Sequence, residues 1–297
     1  MSWMCLANLK KNILTFKNMG DKIEEVYEIL TARKIRKAWP TNPETVKNAI
    51  KYYLETNQPI VLVTNWLGVK TTERGVADKA DKAALFFLKK NIIEKCEEKN
   101  IKIIIKILFT DINASYLEGY TKDRIELYWK TLKPIVDSYG KSFKIIKVNE
   151  ELWNNLFKLD GNETLELDEI AKATNCLDIL DEVKEKADKI INSSRFETYK
   201  NWASKHSLLV KKGMLTLDEA AKRYIRFRLF ARRRYKKMFP YEIYFTSSIP
   251  ELQLTEFVSQ PTIYIFFIYK GFSDCPWFID ENHEGLVRLI KMGRVNV

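Results

Sequence analysis

Two polar loops and one arginine-rich segment hold most of the residues in this chain that are able to do chemistry. The first loop, residues 64–75, contains Asn65, Lys70, Thr71, Thr72 and Arg74 just ahead of a helical pattern. Free backbone N–H groups and the dipole at a helix start favour a bound phosphate, and Lys70 and Arg74 add positive charge. A solvated turn has a similar composition, and with so few glycines the loop is neither a P-loop nor a dinucleotide fingerprint. The second loop brings Asp111 and Asn113 after an apolar run. An acid there is placed to orient an amine or hydroxyl, or to act as a base. It is equally suited to cap a helix or close an Asx-turn. The third group is Arg223, Arg226, Arg228, Arg232, Arg233 and Arg234 on segment 215–238. The planar guanidinium suits phosphate or carboxylate. Tyr224, Phe227, Phe230 and Ala231 mark the apolar side, and a solvated face accounts for most of the arginines. Arg226 and Arg228, nearest the middle, are the two expected to turn toward a site. Ser247 ends a strand-like run and joins the substrate-binding candidates. No suitable histidine stands near it, so a nucleophilic role has no support.

The elements that must position these groups follow from periodicity. Residues 59–63 and 101–109 are short, β-branched apolar runs separated by the helical pattern of residues 77–98, in which Ala80, Ala84, Phe87, Leu88, Ile92 and Cys96 recur at helical spacing. That order reads as parallel strands with a crossover helix, which puts both polar loops at the carboxyl ends of neighbouring strands, where open α/β sheets hold ligands. A helix over 124–139, ended by Gly140, and a strand over 143–148 complete a β-α-β-α-β unit. Residues 1–39 read as helical with a basic end, and a second helix over 45–55 leads into the first strand. Residues 151–206 are helical and acid-rich, without a strand pattern. A long helix over 215–238 with Thr216 as N-cap is stopped by Phe239 and Pro240. Strands over 242–246 and 262–269 and a terminal hairpin over 276–290 follow. The expected fold is α/β: a Rossmann-like, mostly parallel five-stranded sheet flanked by helices, with a helical insertion and a C-terminal hairpin. The expected organisation is one catalytic domain over 1–297, with a helical arm at 1–58 and the insertion at 151–214.

Composition removes several classes. At 297 residues, 46% hydrophobic and 30% charged, the chain suits a globular fold with a sizeable core. Its net charge of +11 invites an anionic ligand or nucleic acid, although lysine outnumbers arginine throughout and a general surface bias explains much of it. Cys5, Cys96, Cys176 and Cys275 are far apart and form no metal-ligand spacing. A reduced cytosolic protein without metal is the simplest expectation. Only His206 and His283 are present, which weighs against histidine metal sites. No signal peptide or transmembrane span is expected, because polar residues interrupt the apolar start.

The motifs together resemble the isocyanide (isonitrile) synthase family of the pyoverdine/dityrosine biosynthesis type. The carriers are the basic loop after a strand, the Ala- and Asp-rich helix start Val76–Leu85, and the strand ending in Thr110 and Asp111. To these add Gly119–Tyr120, the pattern Asp123–Tyr128, the helix with Arg226 and Arg228, Phe239–Pro240 before a strand ending in serine, and Pro276–Trp277. The resemblance spans residues 59–134 and 215–294 and not the helical middle. The chain departs from the family at the first loop, where Asn65–Lys70 replaces Lys-Ser-Pro-Asn. It departs again at Thr110–Ile112 for Ser-Asp-Gly and at Phe278 for histidine. What the resemblance implies is a metal-free condensation. The amine of an amino acid forms an imine with the ketone of ribulose 5-phosphate, a co-substrate rather than a cofactor, and fragmentation leaves an isonitrile. Lys70 and Asp111 would then be catalytic, and Asn65, Arg74, Asn113, Arg226, Arg228 and Ser247 would bind substrate. The competing expectation is a tRNA-dependent aminoacyl transferase of the cyclodipeptide synthase type, with a class I synthetase-like fold and tRNA as partner. The HIGH and KMSKS motifs are absent, and Thr64 or Asn65 stands where a nucleophilic serine is needed. A third class, a non-enzymatic nucleic-acid-binding protein, has charge but no recognisable module.

Overall fold

The β-branched runs form the strands of one sheet. The computed structural model describes residues 19–66, 76–77, 79–109, 113–147, 167–246, 252, 254, 260–265, 277–280 and 288–291. The main sheet has six strands: β1 (Arg36–Ala38), β2 (Ile60–Trp66), β3 (Ile103–Phe109), β4 (Phe143–Lys147), β5 (Ile243–Thr246) and β6 (Thr262–Ile265). Their spatial order is β1-β6-β5-β2-β3-β4. All neighbours are parallel except β1, which runs antiparallel to β6. The five-stranded parallel sheet expected from the sequence is therefore present. Its strands are apolar almost throughout because both faces are covered.

Helices pack around it. The first, α1, spans residues 19–30, and α2 spans Pro43–Glu55. Asn42 caps α2 by accepting a hydrogen bond from the Thr45 N–H at 3.2 Å. The crossover helix is α3 (Lys79–Leu88), which passes through a π-helical turn, Lys89–Ile93, into α4 (Glu94–Glu97). A second π turn, Asn113–Leu117, follows β3 and precedes α5 (Lys122–Asp137). The acid-rich region contributes α6 (Leu167–Ala173), α7 (Leu180–Ile191), α8 (Phe196–His206) and α9 (Leu208–Lys211), and then comes α10 (Leu217–Met238). β7 (Trp277–Asp280) and β8 (Arg288–Lys291) make the separate antiparallel hairpin. One hydrophobic cluster joins Leu30 of α1, Ile105 of β3, Tyr128 of α5, Val183 of α7 and Phe230 of α10.

The start of α10 is the one the sequence announces. Thr216 accepts from the Glu219 N–H at 3.2 Å, and Glu219 accepts from the Thr216 N–H at 2.8 Å. This reciprocal cap stabilises the helix by about 1 kcal/mol.

Three local differences from the sequence reading have physical causes. The basic end of the N-terminal arm is not helix: α1 stops, the Thr31 hydroxyl donates back to the Tyr27 carbonyl at 2.7 Å, and Arg36–Ala38 pairs with β6 instead. Edge pairing with a strand more than two hundred residues away overrides local helix preference. β2 continues to Trp66, three residues beyond the expected end, because β3 pairs with it over its whole length. Asn113, expected in a loop, opens the π turn.

Candidate active site

Strand order fixes where a ligand cleft belongs. From β2 the chain builds outward through β3 and β4 on one side, and β5 and β6 lie on the other. The junction between β2 and β5 is the switch point of the sheet, and its carboxyl end is the expected ligand crevice. Asn65 lies in β2 with its backbone opposite Leu108, and Asn113 begins the π turn after β3; of these two only the backbone is described. Lys70, Arg74, Asp111 and Ser247 lie outside the described residues.

The segment following β3 is anchored firmly. Gly119 adopts φ +82°, and a Cβ placed there would meet the Leu209 side chain at 2.8 Å and its backbone nitrogen at 3.3 Å. Only glycine satisfies both the left-handed backbone and the close approach. The neighbouring Glu118 carbonyl accepts from the Leu208 N–H at 2.8 Å. On the other side, Arg223 of α10 stacks on Tyr116 at 4.7 Å and donates to the Tyr116 carbonyl at 3.4 Å. Glu118 is thus held between the α8–α9 junction and α10. It is partly buried, and burial pushes its carboxyl up to about 8, against the pull of the Arg228 charge. A carboxyl with that range exchanges a proton near neutral pH.

Helix α10 supplies the cations. Residues 239–242 connect its end to the start of β5, so earlier turns of the helix lie toward the carboxyl edge of the sheet. Tyr224, Arg228, Arg232 and Tyr235 are spaced four, four and three apart, which puts them on one face. All four are buried; Arg228 is 6% exposed and Arg232 4%. Arg228 lies beside Tyr224 and Tyr244 of β5, with its guanidinium 5.9 Å from the centre of the Tyr224 ring. Arg232 packs over the Tyr244 ring at 4.8 Å and donates to Thr262 Oγ1 at 3.1 Å and Gln260 Oε1 at 3.4 Å. Burial, together with the charge of Arg228, brings the Arg232 guanidinium down to about 10. It is still a cation at neutral pH. Tyr235 and Lys106 of β3 both bind the buried Glu242 carboxylate, which closes the stripe at the opposite end of the sheet. Tyr224 donates to the Leu252 carbonyl at 3.2 Å, and burial raises its phenol.

Arg226 points elsewhere. Its side chain is 44% exposed and meets Asp188 of α7 at 3.5 Å. Arg233 pairs with Glu182 at 2.8 Å and Lys237 with Asp178 on that same outer side. Two residues on, Arg228 is rotated by about 200° around the helix. The two arginines singled out together in the sequence therefore occupy different surroundings, and only Arg228 joins the inward cluster. Arg232 and Glu118 were not among the sequence candidates. The signal for Arg232 was the stripe of tyrosine and arginine at helical spacing. For Glu118 it was faint: a lone acid before the Gly119–Tyr120 motif.

Another internal contact links two segments that carried the sequence resemblance. Asp81, fully buried at the start of α3, accepts a 2.8 Å hydrogen bond from the hydroxyl of Tyr128 on α5. The Ala- and Asp-rich helix start and the Asp123–Tyr128 pattern are therefore in direct contact beside β3, where Tyr128 also stacks on Phe109.

The chain is similar in structure to the PvcA protein from Pseudomonas aeruginosa. The match has a TM-score of 0.53 and 12% sequence identity, and it covers 82% of this chain and 82% of PvcA. What the two share is the fold. No family model matches the sequence, and no curated protein matches it. Among the described residues, no helix is long and apolar enough to cross a membrane.

Proposed function

We propose that this chain is a cytosolic, isocyanide synthase-like enzyme that condenses the amine of an amino acid with ribulose 5-phosphate to give an isonitrile. The reading combines the sequence resemblance with the fold shared with PvcA. The single observation that carries it furthest is the buried Arg228 beside Glu118, Tyr224 and Tyr244, in the part of α10 nearest the carboxyl edge of the sheet. A condensation of this kind needs fixed cations for anionic substrate groups and a group that moves protons near neutral pH. Arg228 meets the first need and Glu118 the second.

In imine formation the free amine attacks the ketone carbon, a C–N bond forms as the carbonyl π bond breaks, and one amine proton passes to the ketone oxygen, giving a carbinolamine. Glu118 in its protonated form gives a proton to the departing hydroxyl, which leaves as water. The carboxylate so formed takes back the proton that nitrogen must lose. Arg228 stabilises the carboxylate stage. Lys70 and Asp111, which follow β2 and β3 in the chain, serve the later proton transfers, and Asn65, Arg74, Asn113 and Ser247 contact substrate. Arg226, paired on the outer surface, has no part in this assignment.

Mass spectrometry of the full chain with pooled amino acids and pentose phosphates tests the reading. An isonitrile product that depends on ribulose 5-phosphate is expected, together with thermal stabilisation by ribulose 5-phosphate or a free aromatic amino acid. Transfer from aminoacyl-tRNA without any sugar phosphate, with tRNA binding that weakens steeply with salt, would replace it with the tRNA-dependent class.

A further inference from the structure

The edge of the main sheet at β1 presents cations without acids to answer them. Residues 29–43 contain Arg33, Lys34, Arg36 and Lys37 and no acid. Elsewhere surface lysines meet an acid one helical turn away, as Lys51 meets Glu55, Lys90 meets Glu94 and Lys133 meets Asp137. That arrangement is closed to Arg33, Lys34 and Arg36, and among the described residues none of the three has an ion pair. Glu24 and Glu44 act on the same Tyr27 phenol as Arg36 does, but Glu24 is already bound to Lys47 at 2.6 Å, and Glu44 acts on Lys47 too. Two of the four cations are arginines, so the lysine bias of the surface does not account for the cluster.

Trp39 gives an independent indication. It is 62% exposed, whereas Trp129 and Trp202 are partly buried. The Arg36 guanidinium lies 3.1 Å from the centre of its ring, a stack that covers one face of the indole. Among the described residues no second ring or cation contacts Trp39, which leaves the other face to solvent. The residues around this plate are anchored. Arg36 belongs to β1 and pairs with β6, Ile35 and Pro40 are buried, and the Thr41 and Tyr264 hydroxyls are hydrogen-bonded at 2.9 Å. A flat aromatic surface is therefore held outward, with cations directly before it in the chain.

We infer that residues 33–39 form a contact surface for single-stranded nucleic acid, in which a base stacks on the open face of Trp39 and Arg33, Lys34 and Arg36 meet the adjoining phosphates. Aromatic faces beside cations hold unpaired strands without reading their sequence. A duplex, whose bases stack on one another, offers no base face to the indole. An anionic membrane fits less well. Insertion into it needs apolar area, and the apolar neighbours Ile35 and Pro40 are buried in the fold. The surface lies at β1, separated from β5 by β6, and so outside the β2–β5 junction. It does not depend on the proposed reaction.

The test is fluorescence anisotropy of the full chain with labelled oligouridine and with an abasic strand of the same length, over a range of salt concentrations. The proteins are the wild type, Trp39→Leu, Trp39→Phe and the double variant Arg33→Gln with Lys34→Gln. For the wild type, the logarithm of affinity for oligouridine should fall against the logarithm of salt with a slope of about −2, as three phosphate contacts require. The abasic strand should bind about tenfold more weakly, the loss of one stacked base. Trp39→Leu should bind both strands alike, at the wild type's affinity for the abasic one. Trp39→Phe, which keeps a ring, guards against a local change of fold and should retain most of the preference. The double variant should weaken both strands by the same factor and bring the slope to about −0.7.

A Trp39→Leu protein that still prefers oligouridine as the wild type does, or a double variant with an unchanged slope, would overturn the surface. So would a wild type that binds neither strand. If that wild type instead sediments with vesicles of phosphatidylcholine and phosphatidylserine, and Trp39→Leu does not, the patch is a lipid contact and the inference is wrong. The surface and the reaction fail separately. Isonitrile formation without any strand binding retains the reaction and removes the surface. Strand binding that depends on Trp39, without isonitrile from any sugar phosphate, retains the surface and removes the reaction.

Discussion

Helix α10 carries arginines on two sides, and the two sides put the same residue type to opposite use. On the outer side Arg226 and Arg233 meet Asp188 and Glu182 of the acidic helix α7. These pairs are largely in solvent, where each contributes between nothing and about 1 kcal/mol. On the inner side Arg228 and Arg232 are buried among tyrosines, and the charge of Arg228 acts on the Glu118 carboxyl. Burial makes their electrostatics strong. The outer arginines pair with the acid-rich helical region, and the inner ones are those the proposed reaction would use.

Substitutions that separate the two sides follow in order of effect. Arg228→Met should lower turnover in the isonitrile assay by about 100-fold to 1,000-fold, the loss typical of a preorganised charge-stabilising group, as read from kcat and KM. A loss of less than about threefold would put Arg228 outside the site. Gly119→Ala should destabilise the fold by about 2–3 kcal/mol, because it forces a side chain into a left-handed backbone conformation and against Leu209. Urea denaturation measures this, and an unchanged midpoint would show that Glu118 is not held as described.

Glu118→Gln should change the pH dependence. The wild-type carboxyl titrates at about 8 in the fold, against 4.5 as its ordinary value. Between those values the folded chain binds more protons than the unfolded one, so stability falls as pH rises through that window. The glutamine variant should lose this slope and melt higher than the wild type at pH 9. Parallel melting curves for the two proteins from pH 5 to pH 9 would place Glu118 in solvent. The smallest effect belongs to the outer side: Arg226→Ala should shift stability by no more than about 0.5 kcal/mol and leave kcat unchanged.

Much of the scaffold was legible in the residues themselves. Isoleucine-rich runs split by helical spacing specify the parallel sheet, and Thr216 with Glu219 marks the start of α10. What local pattern does not encode is long-range. β1 exists because β6 has a free edge, and nothing in residues 34–39 signals that edge. The inward arginines were half legible. Arg228 was selected for lying mid-helix, yet Arg226 met the same criterion and faces outward, because the choice depends on which neighbours carry acids. Arg232 follows from the tyrosine and arginine stripe once the sheet face above it is known. Glu118 gains its raised proton affinity from burial between α10 and the α8–α9 junction, a tertiary effect that the lone acid before Gly119–Tyr120 signals only faintly.

The most direct test sets the two faces of α10 against each other in one assay. The wild type, Arg228→Met and Arg226→Met would each be incubated with pooled amino acids and ribulose 5-phosphate labelled with carbon-13 at the ketone carbon, and the products weighed by mass spectrometry. The account predicts a labelled isonitrile from the wild type and from Arg226→Met, and almost none from Arg228→Met. No labelled product from the wild type, or equal yields from all three proteins, would contradict it.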